Sequence, residues 1–191
     1  MLTSRAAASA TLRADRAARL GAQAGAVLFA TALTGAASQV SVTLPGSVVP
    51  FTLQPLAVLL AGAVLGSRLG ALSQALYLAA GVAGASMFAW SPVLLPGIAR
   101  LLGPTGGFLL AFPAAAFVAG LAADRGLARR PLGAAAAMLA GGVVLYAGGA
   151  AWLAASAPVA VWSLVPYAAA DAVKVVIASA AVPSLRRLLA R

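Results

Sequence analysis

The sequence predicts an all-α integral membrane protein with six transmembrane helices. Of its 191 residues, 63% are hydrophobic and 8% are charged, and the mean hydropathy is +1.02. Soluble domains are typically about 45–50% apolar and about 25% charged, so this composition is typical of a membrane protein. The charges are separated by long uncharged stretches, and a membrane helix needs about 20 mostly apolar residues.

The first two predicted spans lie in one uncharged stretch. Charges are costly in the bilayer core, so uncharged stretches set the limits of the spans. The first span begins at Leu20 and ends before Ser41–Pro50, a connection with two prolines and a glycine that break a helix. The second, over Leu53–Gly66, is short for a full crossing. We expect it to start earlier, to be broken, or to follow a loop folded into the membrane.

Four further spans follow from the remaining uncharged stretches. The third begins at Leu69 and is followed by a loop at Ser91–Gly97, and the fourth occupies Leu101–Ala123. The fifth runs from Pro131 to about Ala155. Prolines then interrupt the chain, and the sixth runs from about Val161 to Leu185.

The distribution of basic residues predicts the orientation. Thirteen basic and three acidic residues give a net charge of +10. With the N-terminus in the cytoplasm, six spans place most of the basic residues inside: Arg5, Arg13, Arg16, Arg19, Arg68, Arg125, Arg129, Arg130, Arg186, Arg187 and Arg191. Only Arg100 falls outside, and Lys174 lies within a span. This asymmetry is the positive-inside rule, which predicts that both termini are cytoplasmic.

Two predicted regions follow from this arrangement. Residues 1–19 form a basic cytoplasmic segment, and residues 20–191 form the six-helix transmembrane domain in the lipid bilayer. Nucleic-acid binding requires charges on one continuous face with aromatic platforms, whereas these charges are scattered over four segments. The chain contains no Cys and no His, which excludes disulfides, thiolate or imidazole metal sites and His-based triads. We expect no enzyme activity, no metal and no nucleic-acid partner.

Asp171 and Lys174 are the most informative pair of residues. They lie near the middle of the sixth span, and a spacing of three residues places them on one helix face. Because each charge is costly at this depth, both side chains should face the protein interior or a wet cavity. Two interpretations remain open, namely a binding site and an internal ion pair that stabilises the bundle.

Other polar and aromatic residues are candidates for the same site. In Val49–Gln54, Phe51 offers an apolar face while Thr52 and Gln54 offer hydrogen-bonding groups. This segment either closes over a site or simply leads into the second span. Tyr167 precedes Asp171 by four residues and shares its face. Trp90 either lies in the interfacial aromatic belt or lines the mouth of a pocket.

Small residues in two places predict close helix packing. Ala22, Ala26 and Ala30 recur at intervals of four residues in the first span, which lines one face with minimal side chains. Gly103–Gly107 (GPTGG) opens the fourth span. It lacks the Gly-Lys-Ser/Thr ending of a phosphate-binding loop, so it predicts no nucleotide site.

Three ordered motifs resemble a known family. Val49–Ala89 (VPFTLQPLAVLLAGAVLGSRLGALSQALYLAAGVAGASMFA), Gly103–Gly120 (GPTGGFLLAFPAAAFVAG) and Asp171–Lys174 (DAVK) are similar to the BioY family of biotin-transporter substrate-binding subunits. The similarity covers most of the chain from the first span onward.

The resemblance implies a function and partners. BioY proteins are six-helix S components of energy-coupling factor (ECF) transporters in the bacterial cytoplasmic membrane, and they capture biotin from the outer side. Two ATPases and a transmembrane coupling protein energise transport. Ala22, Ala26 and Ala30 match the face on which the coupling protein docks. A homo-oligomer is compatible with the sequence, and no cofactor is expected besides biotin as the transported ligand.

The resemblance also implies roles for the candidate residues. Asp171 could accept hydrogen bonds from the ureido N–H groups of biotin, and Lys174 could donate to the ureido carbonyl. Arg100 is the candidate partner of the carboxylate. The ring system and the aliphatic tail of biotin would pack against Phe51, Phe88 and Trp90. With Thr52, Gln54 and Tyr167, these residues form the predicted binding site.

Three alternatives remain at this point. One is an S component for another small vitamin. The second is a stand-alone secondary transporter or channel, which the lack of an obvious inverted repeat or chain of ionisable groups disfavours. The third is a membrane enzyme, which the lack of His and a lone intramembrane acid disfavour most.

Overall fold

The computed structural model describes residues 2–42, 49–90 and 96–189. Most of the two predicted connections, Ser41–Pro50 and Ser91–Gly97, lies outside the described residues, as does Arg191. The described chain is almost entirely helical. Its elements are α1 (Leu2–Gln39), β1 (Ser41–Val42), β2 (Phe51–Thr52), α2 (Gln54–Leu65), α3 (Ser67–Val82), α4 (Ile98–Leu102), α5 (Gly106–Asp124), α6 (Pro131–Ser156), α7 (Leu164–Ser179) and α8 (Val182–Leu189).

Four helical segments are long and apolar enough to cross a membrane. They are Leu12–Gln39, Gly106–Asp124, Pro131–Ser156 and Ala160–Ser179. The segment Gln54–Leu65 is apolar but shorter, as the sequence predicts for the second span. The all-α membrane class is therefore confirmed.

Two predicted spans are interrupted, the fourth beside Pro104 and the sixth beside Pro183. The fourth is divided at Gly103–Thr105 into the short α4 and the long α5. The sixth ends at Ser179, and α8 begins at Val182. Pro183 lacks the N–H that an uninterrupted helix would bond to the carbonyl of Ser179, and its ring would clash with that carbonyl. Proline is tolerated in the first turn of a new helix, which is where α8 places Pro183.

The basic N-terminal segment is not separate from the first span. Helix α1 runs without interruption from Leu2 to Gln39. At about 1.5 Å per residue it is about 57 Å long, which exceeds the hydrocarbon core of about 30 Å. Residues 12–25 of α1 are exposed, and its buried face begins at Val27.

Helix α5 packs against α2, α3 and α6 at the centre of the molecule. Ala115, Ala116 and Ala119 of α5 are fully buried, and small side chains here allow close helix approach. The same holds for Gly107 on the α6 side. A Cβ atom there would lie 2.2 Å from Cβ of Trp152 and 2.6 Å from the carbonyl oxygen of Gly148.

The turn between α2 and α3 is fixed by a residue at the end of α5. Gly66 has φ of +88°, a conformation that L side chains rarely adopt. Directly after it, Ser67 donates from its backbone N–H (3.0 Å) and from its hydroxyl (2.5 Å) to Oδ2 of Asp124. The carboxylate thus caps the start of α3.

Helix α8 joins the same end of the bundle. Arg186 Nη1 donates to the carbonyl oxygens of Ala63 (2.9 Å) and Val64 (3.2 Å) near the end of α2. The ends of α2 and α5, the start of α3 and the basic part of α8 therefore meet. We call this the basic end, because it gathers Arg68, Arg125 and Arg186.

Candidate binding site

A cavity lies between β2, the start of α2, and helices α4 to α7. The empty space within it, including its open mouth, is about 610 Å³. Most predicted site residues line it, namely Phe51, Thr52, Gln54, Phe88, Arg100, Tyr167 and Asp171. The chain thus brings together residues that are as many as 120 positions apart in the sequence.

Asp171 and Lys174 form the predicted pair on one face of α7. Lys174 Nζ lies 2.8 Å from Asp171 Oδ1, and the Asp171 carboxylate is buried. The other oxygen, Oδ2, accepts a hydrogen bond of 2.6 Å from the hydroxyl of Tyr146 on α6. The pair is therefore an internal ion pair, and its acid also lines the cavity.

Lys174 lies beside the cavity lining and contacts β2, which pairs with β1 in a two-stranded antiparallel ribbon. Its ammonium donates to the backbone carbonyl of Thr52 at 3.1 Å. It also lies 3.6 Å from the centroid of the Phe51 ring, a cation–π contact. An ammonium has three donors, so two hydrogen bonds to Asp171 and Thr52 leave one N–H for a further acceptor.

Gln54 connects the ribbon to α3. Its Nε2 donates to the hydroxyl of Tyr77, which in turn donates to the carbonyl of Met87 at 3.0 Å. The backbone N–H of Gln54 donates to Oγ1 of Thr52 at 3.2 Å. This chain of hydrogen bonds holds the start of α2 in place at the cavity wall.

Two hydrogen-bond donors line the cavity near the start of α5. Arg100 lies in α4, and Thr105 directly precedes α5. Arg100 is only 5% exposed, and its Nη2 donates to the carbonyl of Ala89. Its Nε has no hydrogen-bond partner among the described residues, and neither has Oγ1 of the buried Thr105. An unpaired buried polar group costs about 1–3 kcal/mol, which a bound ligand can offset.

Aromatic rings form much of the remaining wall. Phe51 stacks on Tyr167 with centroids 5.3 Å apart, and Phe88 packs edge-on against Tyr77 at 5.7 Å. The hydroxyl of Tyr167 is buried and lacks a partner in the described part of the chain. A largely apolar cavity with a few placed polar groups suits a small, amphipathic ligand.

Trp90 does not belong to this site. The structure places it outside the cavity lining, with 71% of its surface exposed. Its neighbour Phe88 is 9% exposed and lies against Gly81. Trp90 therefore projects outward, as an interfacial aromatic residue does.

The three predicted docking alanines do not form one accessible face. Ala22 is exposed and Ala26 is half-buried, but Ala30 is only 6% exposed. Ala30 shares its helix face with Val27 and Thr31, whose hydroxyl donates to the carbonyl of Ser73 in α3 at 2.9 Å. Ala30 therefore packs within the chain's own bundle.

Sequence reasoning missed several residues that line the cavity, among them Thr105, Phe108 and Tyr146. Thr105 lies within the GPTGG motif, which predicted close helix packing and no nucleotide site. Tyr146 is a hydroxyl-bearing residue in the middle of the otherwise apolar α6, and that contrast was the available signal.

Comparisons with known proteins agree with this architecture. The model of the BioY family matches residues 10–191. A probable biotin transporter BioY of Pyrococcus horikoshii is 44% identical over 128 residues, which cover 67% of this chain and 72% of the relative. The biotin transporter BioY of Rhodobacter capsulatus is 40% identical over 145 residues, covering 68% and 74%.

A solved structure shares the fold. The S-component for biotin from an ECF-type ABC transporter superposes with a TM-score of 0.75, covering 88% of this chain and 91% of that chain. The identity is 22%, so the match concerns the arrangement of helices.

Proposed function

This chain belongs to the BioY family, and we propose that it captures biotin at the membrane as the S component of an ECF transporter. Two kinds of observation support the proposal. Relatives that the chain covers by more than two thirds are described as biotin transporters, and the fold matches that of an S-component for biotin.

The observation that carries the proposal is the placement of acceptors and donors in one apolar cavity. Biotin has two ureido N–H donors, a ureido carbonyl and a carboxylate. Asp171 offers lone pairs for the N–H groups, and Lys174 has one N–H left for the carbonyl. Arg100 and Thr105 offer the buried unpaired Nε and Oγ1 to the carboxylate.

Shape and desolvation then give selectivity. Phe51, Phe88 and Tyr167 supply apolar surface for the bicycle and the aliphatic tail. A ligand without the ureido group would desolvate the remaining lone pairs of the buried Asp171 carboxylate without offering them a donor, at a cost of about 1–3 kcal/mol. A ligand without the carboxylate would likewise leave Nε of Arg100 without an acceptor.

We further propose that the bundle crosses the membrane six times, with α2 and α3 completing the set of spans. The basic end then faces the cytoplasm of a bacterial cell, and both termini lie on that side. Arg100 and the mouth of the cavity face outward. Biotin would thus enter from outside.

The proposed partners are the transmembrane coupling protein and the two ATPases of the ECF module. Ala22 and the half-buried Ala26 remain accessible on α1 for the coupling protein. Ala30 instead allows α1 to approach its own bundle. Association between copies of the chain is a separate question that gel filtration with light scattering would answer.

Binding of defined vitamins to the purified protein tests the proposal. Isothermal titration calorimetry in detergent should show saturable binding of biotin and no binding of thiamine or riboflavin. Binding of another vitamin in place of biotin would identify an S component of different specificity. Absence of any binding by biotin would contradict the proposed ligand.

Uptake tests the proposed partners. Cells that express the chain together with an ECF module should take up radiolabelled biotin faster than cells with the chain alone. Uptake that persists without the ATPases and stops with an uncoupler would indicate a stand-alone secondary transporter instead.

A further inference from the structure

The hydroxyl of Tyr146 on α6 contacts the Asp171 carboxylate on α7. It donates to Oδ2 at 2.6 Å, while Lys174 donates to Oδ1 at 2.8 Å. Among the described residues each carboxylate oxygen therefore has one donor, and the two donors come from different helices. Since an ionised carboxylate has about four lone-pair positions, each oxygen keeps capacity for a further donor.

Two donors fix the plane of the Asp171 carboxylate, which a single donor would leave free to rotate. The terminal torsion of an aspartate side chain is broad and roughly two-fold, so one bond to one oxygen does not set the plane of the carboxylate. Lys174 is already committed to the Thr52 carbonyl at 3.1 Å. The bond from Tyr146 therefore supplies the second fixed donor that the plane of the Asp171 carboxylate requires.

Tyr146 is itself held in place by packing. Its ring lies edge-on to Phe108, with centroids 5.8 Å apart and an angle of 88°. Phe108 is seated against Gly149 of α6, where an added Cβ would lie 2.3 Å from the ring. The packing of α5 against α6 thus fixes the position of the Tyr146 ring and the direction in which its hydroxyl donates.

A second hollow explains why this bond is needed. It lies between α2, α6 and α7, and Tyr146 and Asp171 border both it and the ligand cavity. The rest of its lining is apolar, with Leu59, Met138 and Val175 among its residues. Without the hydroxyl, the Asp171 carboxylate would border a hollow whose lining offers no other side-chain donor.

We infer that Tyr146 is a positioning residue for ligand recognition. It holds the Asp171 carboxylate so that the lone pairs left by Tyr146 and Lys174 accept the N–H donors of the ligand. Its hydroxyl acts through Asp171 and not by touching the ligand. The inference rests on the proposed function, because those donors are the ureido N–H groups of biotin.

A double-mutant cycle tests the inference. Tyr146→Phe removes the hydroxyl but keeps the ring against Phe108. In the wild-type background we expect it to weaken biotin binding about tenfold. In the Asp171→Asn background we expect a change of less than about twofold, since the carboxylate that Tyr146 positions is already gone. Equal effects in both backgrounds, or no effect in either, would overturn the inference.

Tyr167→Phe is the matched control. It also removes a buried tyrosine hydroxyl from the cavity lining, but this hydroxyl does not bond Asp171. Its effect on biotin binding should be the same in the wild-type and Asp171→Asn backgrounds. Coupling of Tyr167 to Asp171 as strong as that of Tyr146 would contradict a specific role for Tyr146.

Infrared spectroscopy supplies a readout that does not depend on ligand affinity. The chain has three acidic residues, all aspartate, so ¹³C-aspartate labelling and subtraction of the Asp171→Asn spectrum isolate the Asp171 carboxylate band. Tyr146→Phe should shift this band, and Tyr167→Phe should not. An unchanged band in Tyr146→Phe would overturn the inference.

The two proposals fail in different ways. If the wild-type protein binds no biotin, the proposed function is wrong, and the infrared band still reports whether Tyr146 orients Asp171. If biotin binds and the cycle is additive, the proposed function stands and the positioning role is wrong.

Discussion

The ammonium of Lys174 lies 3.6 Å from the centroid of the Phe51 ring. It also donates to the carbonyl of the next residue, Thr52, which is 122 positions away in the sequence. One cation on α7 thus neutralises Asp171 and anchors the ribbon strand at the cavity. Phe51 in turn stacks on Tyr167, four residues before Asp171. The ion pair and the ribbon are therefore parts of one structural unit.

Replacing Lys174 by Met should destabilise the fold as well as the site. Asp171 would remain buried without its opposite charge, at a cost of at most about 3–5 kcal/mol because Lys174 is partly exposed. The double variant Asp171→Asn, Lys174→Met should recover most of the lost stability but not biotin binding. Thermal unfolding followed by circular dichroism measures the first effect, and calorimetry measures the second. Arg68→Met, an exposed cation at the basic end, should change neither.

Replacing Arg100 by Gln should remove the preference for a ligand carboxylate. Charge-assisted hydrogen bonds contribute about 1.5–3 kcal/mol, so biotin should bind about 10- to 100-fold more weakly. Biotinamide, which is uncharged, should lose less than about threefold. Calorimetry with both ligands gives the ratio. Arg125→Gln, at the basic end, is the control, and an equal loss for the two ligands would argue against a carboxylate contact.

Substitution of Phe88 should weaken biotin binding, whereas substitution of Trp90 should leave it nearly unchanged. Phe88→Leu should weaken biotin binding by roughly three- to tenfold, because a buried aromatic wall and its edge contact with Tyr77 are lost. Trp90→Leu should leave affinity within about twofold, since Trp90 is exposed outside the cavity. Competition binding with labelled biotin measures both. A strong effect of Trp90→Leu would show that the outer segment closes over the ligand.

Gly107→Ala should destabilise the contact between α5 and α6. The new Cβ would lie 2.2 Å from Cβ of Trp152, and such overpacking costs about 1–3 kcal/mol. Gly25→Ala is the matched control, because no atom lies within 4 Å of its added Cβ. There, alanine should leave the melting temperature unchanged or raise it slightly. Similar melting temperatures for the two variants would contradict the close packing at Gly107.

Asp124→Ala should lower stability while leaving biotin affinity unchanged. The carboxylate accepts two hydrogen bonds from Ser67 at the start of α3, and loss of such a cap costs about 0.5–2 kcal/mol. Asp15→Ala, in the exposed part of α1, should have no effect on thermal unfolding. A loss of biotin affinity in Asp124→Ala would mean that the basic end and the cavity are coupled.

Local spacing made part of the site predictable. Asp171 and Lys174 share a face because residues three apart on a helix are neighbours, and the ion pair confirms this. Phe51, Thr52 and Gln54 could be placed near the site because the prolines around them end the first helix and start the second.

Tertiary packing made the rest unpredictable. Tyr146 reaches Asp171 only because α6 and α7 pack in one particular register, which no local pattern encodes. Thr105 and Phe108 enter the cavity at the start of α5, and although the sequence placed the opening of the fourth span at GPTGG, it did not indicate which face of that span lines a cavity. The spacing of Ala30 from Ala26 predicted close approach of another helix, and the family resemblance implied that this helix belongs to the coupling protein, but the spacing alone does not say which face the bundle covers.

The position of Trp152 makes its intrinsic fluorescence a reporter of the cavity. Its indole N–H donates to the carbonyl of Gly103 at 2.9 Å, two residues from the cavity-lining Thr105, while the other two tryptophans, Trp90 and Trp162, are 71% and 80% exposed. Replacing those two by Phe leaves one indole whose emission originates beside the cavity. Capture of an unlabelled, colourless vitamin can then be followed in real time, in detergent or in a lipid nanodisc.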